Sequence, residues 1–187
     1  MLDHEDSTLY NYKLIYHTKL SPKVKIALSF VMLIILGLSS FSLFQLYTFY
    51  PIAPIQSIEI FLQILFGILF APILHALCHA LGYLVIGTYP KLQMLAPLGI
   101  STPKFCTDSL VIKRNFIFML LTPLLLGSGL LLLFMAFSSM FWYAYATMLA
   151  LHVSFTIPDL YWVWNVRSMH SGVMFRSSKH GFNVYKI

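Results

Sequence analysis

Ala71-Pro72-Ile73-Leu74-His75-Ala76-Leu77-Cys78-His79-Ala80-Leu81-Gly82-Tyr83 lies inside a long apolar run. Its two histidines are four residues apart. On a helix they share a face, separated by about 40° of rotation and one turn of rise. Two imidazoles placed this way can bind one metal ion. The spacing is that of the His-Glu-x-x-His zinc motif, in which the glutamate is the general base. Here the glutamate position is Ala76. The ligand pair is present and the base is missing.

The chain around this stretch is suited to a bilayer. Of its 187 residues, 59% are hydrophobic and 10% are charged, against about 25% charged in a soluble domain. The length fits a single domain over residues 1–187. No cleavable leader is expected, because the first 22 residues are polar and mixed in charge. The net charge of +6 does not call for nucleic acid, since Lys and Arg mark the cytoplasmic loops of membrane proteins. The two cysteines, Cys78 and Cys106, give no disulfide framework. No internal repeat is present.

The apolar runs predict an all-α membrane protein with four transmembrane helices, over residues 25–50, 57–87, 115–137 and 140–166. Residues 1–22 read as a solvated entry, with an interfacial stretch around Tyr10–Tyr16. Pro51 and Pro54 end the first span. Pro72 could open the second span close to His75. Thr122-Pro123 predicts a kink in the third. Residues 88–114 form the largest loop, and its moderately apolar stretch from Lys91 to Ile100 reads as either a short strand pair or a re-entrant segment. Residues 167–187 read as a polar, basic cytoplasmic tail.

Charge then sets topology. Lys and Arg occur in the N-terminal segment, the 88–114 loop and the C-terminal tail, and avoid 51–57 and 138–141. Four spans with both termini cytoplasmic satisfy the positive-inside bias at every segment. Depth follows from topology. His79 lies about 12 Å from the cytoplasmic end of the second span, and Asp159 about 12 Å from that of the fourth. His75, His79 and Asp159 thus fall in one layer on the cytoplasmic side. A membrane-embedded carboxylate at the depth of two histidines, with a fourth position open, makes a catalytic-type zinc site between helices 2 and 4. His152 shares a face with Asp159 and either supports a metal ligand from behind or is a packing histidine. Glu59 reads as an interfacial anchor. His4, His17, His170 and His180 lie in the tails and read as solvated.

These residues resemble a bacterial family of membrane proteins described as putative zincin peptidases, a family of unknown function related to site-2 intramembrane metalloproteases. Four segments carry the resemblance. His75-Ala-Leu-Cys-His79-Ala80 is similar to the family's His-Glu-x-x-His-Ala. Lys113-Arg114-Asn-Phe-Ile-Phe-Met-Leu-Leu-Thr-Pro123 is similar to its basic-aromatic entry into an apolar span with a mid-helix proline. Pro158-Asp159-Leu160-Tyr161 is similar to its Gly-Asp-Leu-Tyr, with Pro158 in place of the small residue. Gly181-Phe182-Asn-Val184-Tyr185 closes the pattern. The resemblance implies zinc held by His75, His79 and Asp159, with the base position at Ala76. His152 stands where relatives more often have an amide side chain.

Two functions are open. The first is an intramembrane zinc metalloprotease, in a bacterial cell membrane with its site toward the cytoplasm, cutting membrane-embedded or membrane-proximal peptides. Ala76 is then an inactivating substitution in it. The alternative is a natural pseudoprotease that binds membrane peptides without cutting. A transporter or immunity factor is disfavoured by four spans without a repeat. The expected partners are a membrane peptide or protein and the lipid bilayer, and not nucleic acid.

Overall fold

A computed structural model describes residues 13–19, 21–49, 57–95, 102–138, 140–178 and 181–186. The expected helix stop at Pro51 and Pro54, the histidines His4 and His180, and the centre of the 88–114 loop lie outside these residues. The helices are α1 (Pro22–Phe49), α2 (Ser57–Val85), α3 (Lys113–Thr122), α4 (Ser128–Phe137), α5 (Trp142–Phe155) and α6 (Ile157–Arg167), with a π-helical turn at Pro123–Gly127 joining α3 to α4. Among the described residues, three stretches are long and apolar enough to cross a membrane: Pro22–Ser42, Ile58–Val85 and Lys113–Phe137.

The expected fourth span is two shorter helices, α5 and α6, meeting at Thr156. Pro158 explains the joint. It has no N–H to give the carbonyl one turn back, and its ring crowds that carbonyl. It sits instead in the first turn of α6, where a proline is tolerated. The two other mid-helix prolines differ in outcome. Pro72 leaves α2 helical throughout. Pro123 opens the π-helical turn, which is the expected kink in the third span.

The chain is mostly helical, as expected, but it is not all-α. Among the described residues there are six strands: β1 (Lys13–Lys19), β2 (Lys91–Leu95), β3 (Thr102–Cys106), β4 (Val111–Ile112), β5 (Val173–Ser178) and β6 (Gly181–Lys186). They form a four-stranded sheet in the order β1-β6-β5-β4 and a separate β2–β3 pair, all antiparallel. The segment read as a solvated entry is therefore an edge strand from Lys13 to Lys19, and the polar tail is a hairpin. The reason lies in period-two burial. Val173 and Phe175 on β5, and Phe182 and Val184 on β6, point into one core with Val111, Phe116, Met119, Leu120 and Val166. Phe116 stacks on Phe175 at 4.7 Å between ring centroids, and Trp162 meets Phe182 edge-on at 4.6 Å. Arg176 on β5 and Asn183 on β6 alternate with these core positions and are half-buried. In the 88–114 loop the strand pair is the reading that holds.

The sheet gathers β1 from the start of the chain, β4 from the middle and β5–β6 from the end. α1 and α3 begin beside it and α6 ends beside it. Tyr83, in the last turns of α2, reaches Ser177 of β5 at 2.7 Å between hydroxyls. The basic segments before α1, before α3 and after α6 thus lie at one end of the helices. Lys113 donates to the carbonyls of Arg167 (2.8 Å) and Met169, tying the start of α3 to the end of α6. Asp108 bonds Lys91 and lies 4.0 Å from Arg176, linking the β2–β3 pair to the sheet. Chiefly through the Lys91 hydrogen bond, its carboxyl is held below the usual carboxylate range.

α2 packs against α5 through small residues. Ala71 on α2 and Ala144, Ala146 and Ala150 on α5 are buried. A Cβ added at Gly67 would lie 2.8 Å from the Ala144 carbonyl oxygen and 2.9 Å from Thr147 Cβ. The two backbones approach as closely as they do because residue 67 has no side chain. This contact fixes the height of α2 against α5, and so the height of the histidines against the Thr156 joint.

Candidate metal centre

His75 and His79 project from one face of α2, as their spacing requires. Asp159 comes from the first turn of α6, directly after Pro158. An acid there is favoured by the partial positive charge of the helix N-terminus. The Thr156 joint brings this turn against α2. Nε2 of His75 and Nε2 of His79 each lie 3.2 Å from Asp159 Oδ2. One ligand atom from each of the three residues lies within 4.8 Å of the others, and among the described residues this is the one such group.

The donor set fits a zinc ion. Zinc bonds of about 2.0–2.2 Å in a tetrahedron hold neighbouring ligand atoms roughly 3.3–3.6 Å apart, and 3.2 Å is close to that. Asp159 Oδ2 is buried and makes no hydrogen bond among the described residues, although two imidazole nitrogens stand 3.2 Å from it. The approach has the distance of an ion pair without the angles of a hydrogen bond. A buried carboxylate oxygen left this way is costly. A cation shared with the two imidazoles would satisfy it. The three side chains are about 15% exposed, so a fourth position can face a substrate or water.

The rings are held from behind. His79 Nδ1 is 3.3 Å from the Met119 carbonyl of α3, so Nδ1–H donates there and leaves the Nε2 lone pair facing Asp159. His152, on α5, is fully buried. Its Nε2 donates to the Pro123 carbonyl at 2.8 Å, and its ring centroid lies 5.3 Å from that of His75. The ring fits because residue 127 is glycine. A Cβ there would stand 2.4 Å from His152 Nε2 and 3.0 Å from Cys78 Sγ. Phe155 closes another side of His75 at 6.0 Å between centroids.

Ala76 is 3% exposed and offers a methyl group where the zinc motif has its carboxylate. Among the described residues no second acid stands in for it. Glu59 is sixteen residues before His75, at the opposite end of α2, and Asp108 is engaged by Lys91 outside the helices. Sequence reasoning brought His75, His79 and Asp159 together correctly. It did not foresee the carbonyls of Met119 and Pro123 or the role of Gly127. The signal for the last two was Thr122-Pro123 followed four residues later by a glycine. An apolar cleft of about 420 Å³ also runs between α1, α2 and α5. It is lined by Leu36, Ile64, Ala146 and Leu151 among others, and none of the three ligands borders it.

A model of a family described as "putative zincin peptidase" matches residues 68–174, more than half of the chain. The matched stretch holds His75, His79, His152 and Asp159. It leaves out α1, and it stops before the Gly181–Tyr185 segment. No curated protein and no solved structure matches the chain.

Proposed function

The chain belongs to this family of putative zincin peptidases, and on that premise we propose that it is an integral-membrane zinc metallopeptidase of the site-2 kind whose hydrolytic step is blocked at Ala76. Its substrates are membrane-embedded or membrane-proximal peptides. The helices cross the membrane with the sheet on the cytoplasmic side, in keeping with the lysines and arginines gathered at that end. The observation that carries the reading is the buried, hydrogen-bond-free Asp159 Oδ2 set 3.2 Å from two imidazole nitrogens on a neighbouring helix.

Bound at His75, His79 and Asp159, zinc would polarise a scissile carbonyl and acidify a water. The chain's own residues do the rest. The Met119 carbonyl keeps the His79 ring turned so that Nε2 faces Asp159. The wall of Phe155 and the buried α2–α5 contact limit water on one side of the site. A peptide in helical form hides its backbone, so it must unwind to present a carbonyl there. The β2–β3 pair lies beside α2 and can hold the unwound stretch by strand addition. Proton transfer is the step that fails. The Ala76 methyl accepts no proton, and no other described acid stands near enough to do so.

General acid–base catalysis contributes about 10²–10⁴-fold. Ala76→Glu is therefore expected to raise peptidase activity by about that factor in reconstituted membranes, with the gain abolished by chelator and by Asp159→Ala. The assay uses a single-span protein that copurifies with the Ala76 form and looks for a new fragment once glutamate is installed. If that partner stays intact while zinc is bound, the protease reading fails. The chain is then a peptide-binding pseudoprotease.

A further inference from the structure

The two metal-ligand histidines are supported unequally. His79 gives its Nδ1 proton to the Met119 carbonyl. His75 presents Nε2 to Asp159 in the same way, so as a metal ligand it must carry its proton on Nδ1. That nitrogen is buried and has no partner among the described residues. An unmet buried donor is costly.

The neighbouring ring has the opposite deficiency. His152 Nε2 faces a carbonyl, and a carbonyl can only accept, so Nε2 carries the proton. In the neutral ring Nδ1 is then an acceptor. It too is buried and without a partner among the described residues. An obligate donor and an obligate acceptor, both unmet, stand on rings 5.3 Å apart.

We propose that His152 is the positioning residue for the ligand His75, accepting the His75 Nδ1 proton at its own Nδ1, directly or through one water. This inference rests on the metal reading above. The bond fixes the tautomer and the orientation of His75, and makes its Nε2 a better ligand. His152 is in turn fixed by the π-helical turn. The Pro123 carbonyl accepts from both the Ser128 N–H and His152 Nε2, and Gly127 leaves room for the ring. The two ligands of one helix are thereby tied to different supports: His79 to α3, and His75 through α5 to the turn that begins at Pro123.

The test measures zinc affinity of the full-length chain in detergent by competition with a chelator. His152→Phe fills the volume and removes the acceptor. His152→Asn keeps an acceptor near the position of Nδ1. Partners behind a ligand are worth about 10–100-fold in metal affinity. The expected result is a loss of that size for Phe, recovery to within about 3-fold of the native protein for Asn, and similar melting temperatures for the two variants. Affinity unchanged by Phe, or lost equally in Phe and Asn, overturns the proposal. If the Phe form does not fold, side-chain nitrogen NMR of the unaltered, zinc-loaded protein decides. A proton on His152 Nε2 and on His75 Nδ1 is expected, and a proton on His152 Nδ1 overturns it. Native protein that takes up no zinc overturns the metal reading as well, whereas native binding indifferent to residue 152 overturns this inference alone.

Discussion

α1 and α2 are 28 and 29 residues long, and both are apolar enough to span a membrane, yet α1 packs only half-buried side chains on its neighbours while α2 buries part of its length. None of the apolar window of α1 is buried, against 17% of that of α2. The exposed face of α1 carries Ile26, Phe30, Leu33, Ile34 and Phe41, large side chains suited to lipid. The buried face of α2 carries Ala71, Ala76, Cys78 and Ala80. Small residues let other helices come close, and close approach is what brings polar groups together at depth. The family match begins at residue 68 and leaves α1 out. Equal hydropathy thus conceals two kinds of helix: one with large exposed side chains, and one that brings two histidines to a buried carboxylate.

Substitutions on the two helices should separate them clearly. Gly67→Ala puts a methyl 2.8 Å from the Ala144 carbonyl, against backbone that cannot rotate away. It should destabilise the protein by about 1–3 kcal/mol, as overpacking does. Thermal melting in detergent should show a lower midpoint, and weaker zinc retention as α2 moves from α5. Leu33→Ala on α1, at a position 64% exposed, should change stability by less than about 0.5 kcal/mol in the same assay. Comparable losses at the two positions would mean that α1 is as integral as α2.

The helices were legible in the sequence because an apolar run long enough to cross a bilayer is a local property. The expected 25–50, 57–87 and 115–137 correspond to helices at 22–49, 57–85 and 113–137. The metal group was legible for a related reason. α2 and α6 belong to spans expected to run in the same direction, so His79 and Asp159 could be matched by counting residues back from the ends of the two spans. The sheet was not legible in this way. β1 finds its partner in β6, with Thr18 bonded across 164 residues to Phe182. A short alternating strand beside charged residues looks like a solvated tail until its distant partner is known. The β5–β6 hairpin could have been read from Val173-Met-Phe175 and Phe182-Asn-Val184, where buried positions alternate with exposed or half-buried ones. The support behind the histidines was hidden for another reason. It depends on backbone carbonyls, and side-chain patterns do not reveal which carbonyl a π-helical turn presents.

The central claim is that α2 and α6 together hold a metal although alanine stands at the position of the base. Elemental analysis of the purified chain tests it most directly, comparing the unaltered protein with His79→Ala and Asp159→Ala. Ala76 is not a ligand, so the unaltered protein should carry about one zinc per chain. Each variant loses one of three ligands and should retain little after dialysis against a weak chelator. Equal zinc in all three samples would contradict the assignment of these residues as the site.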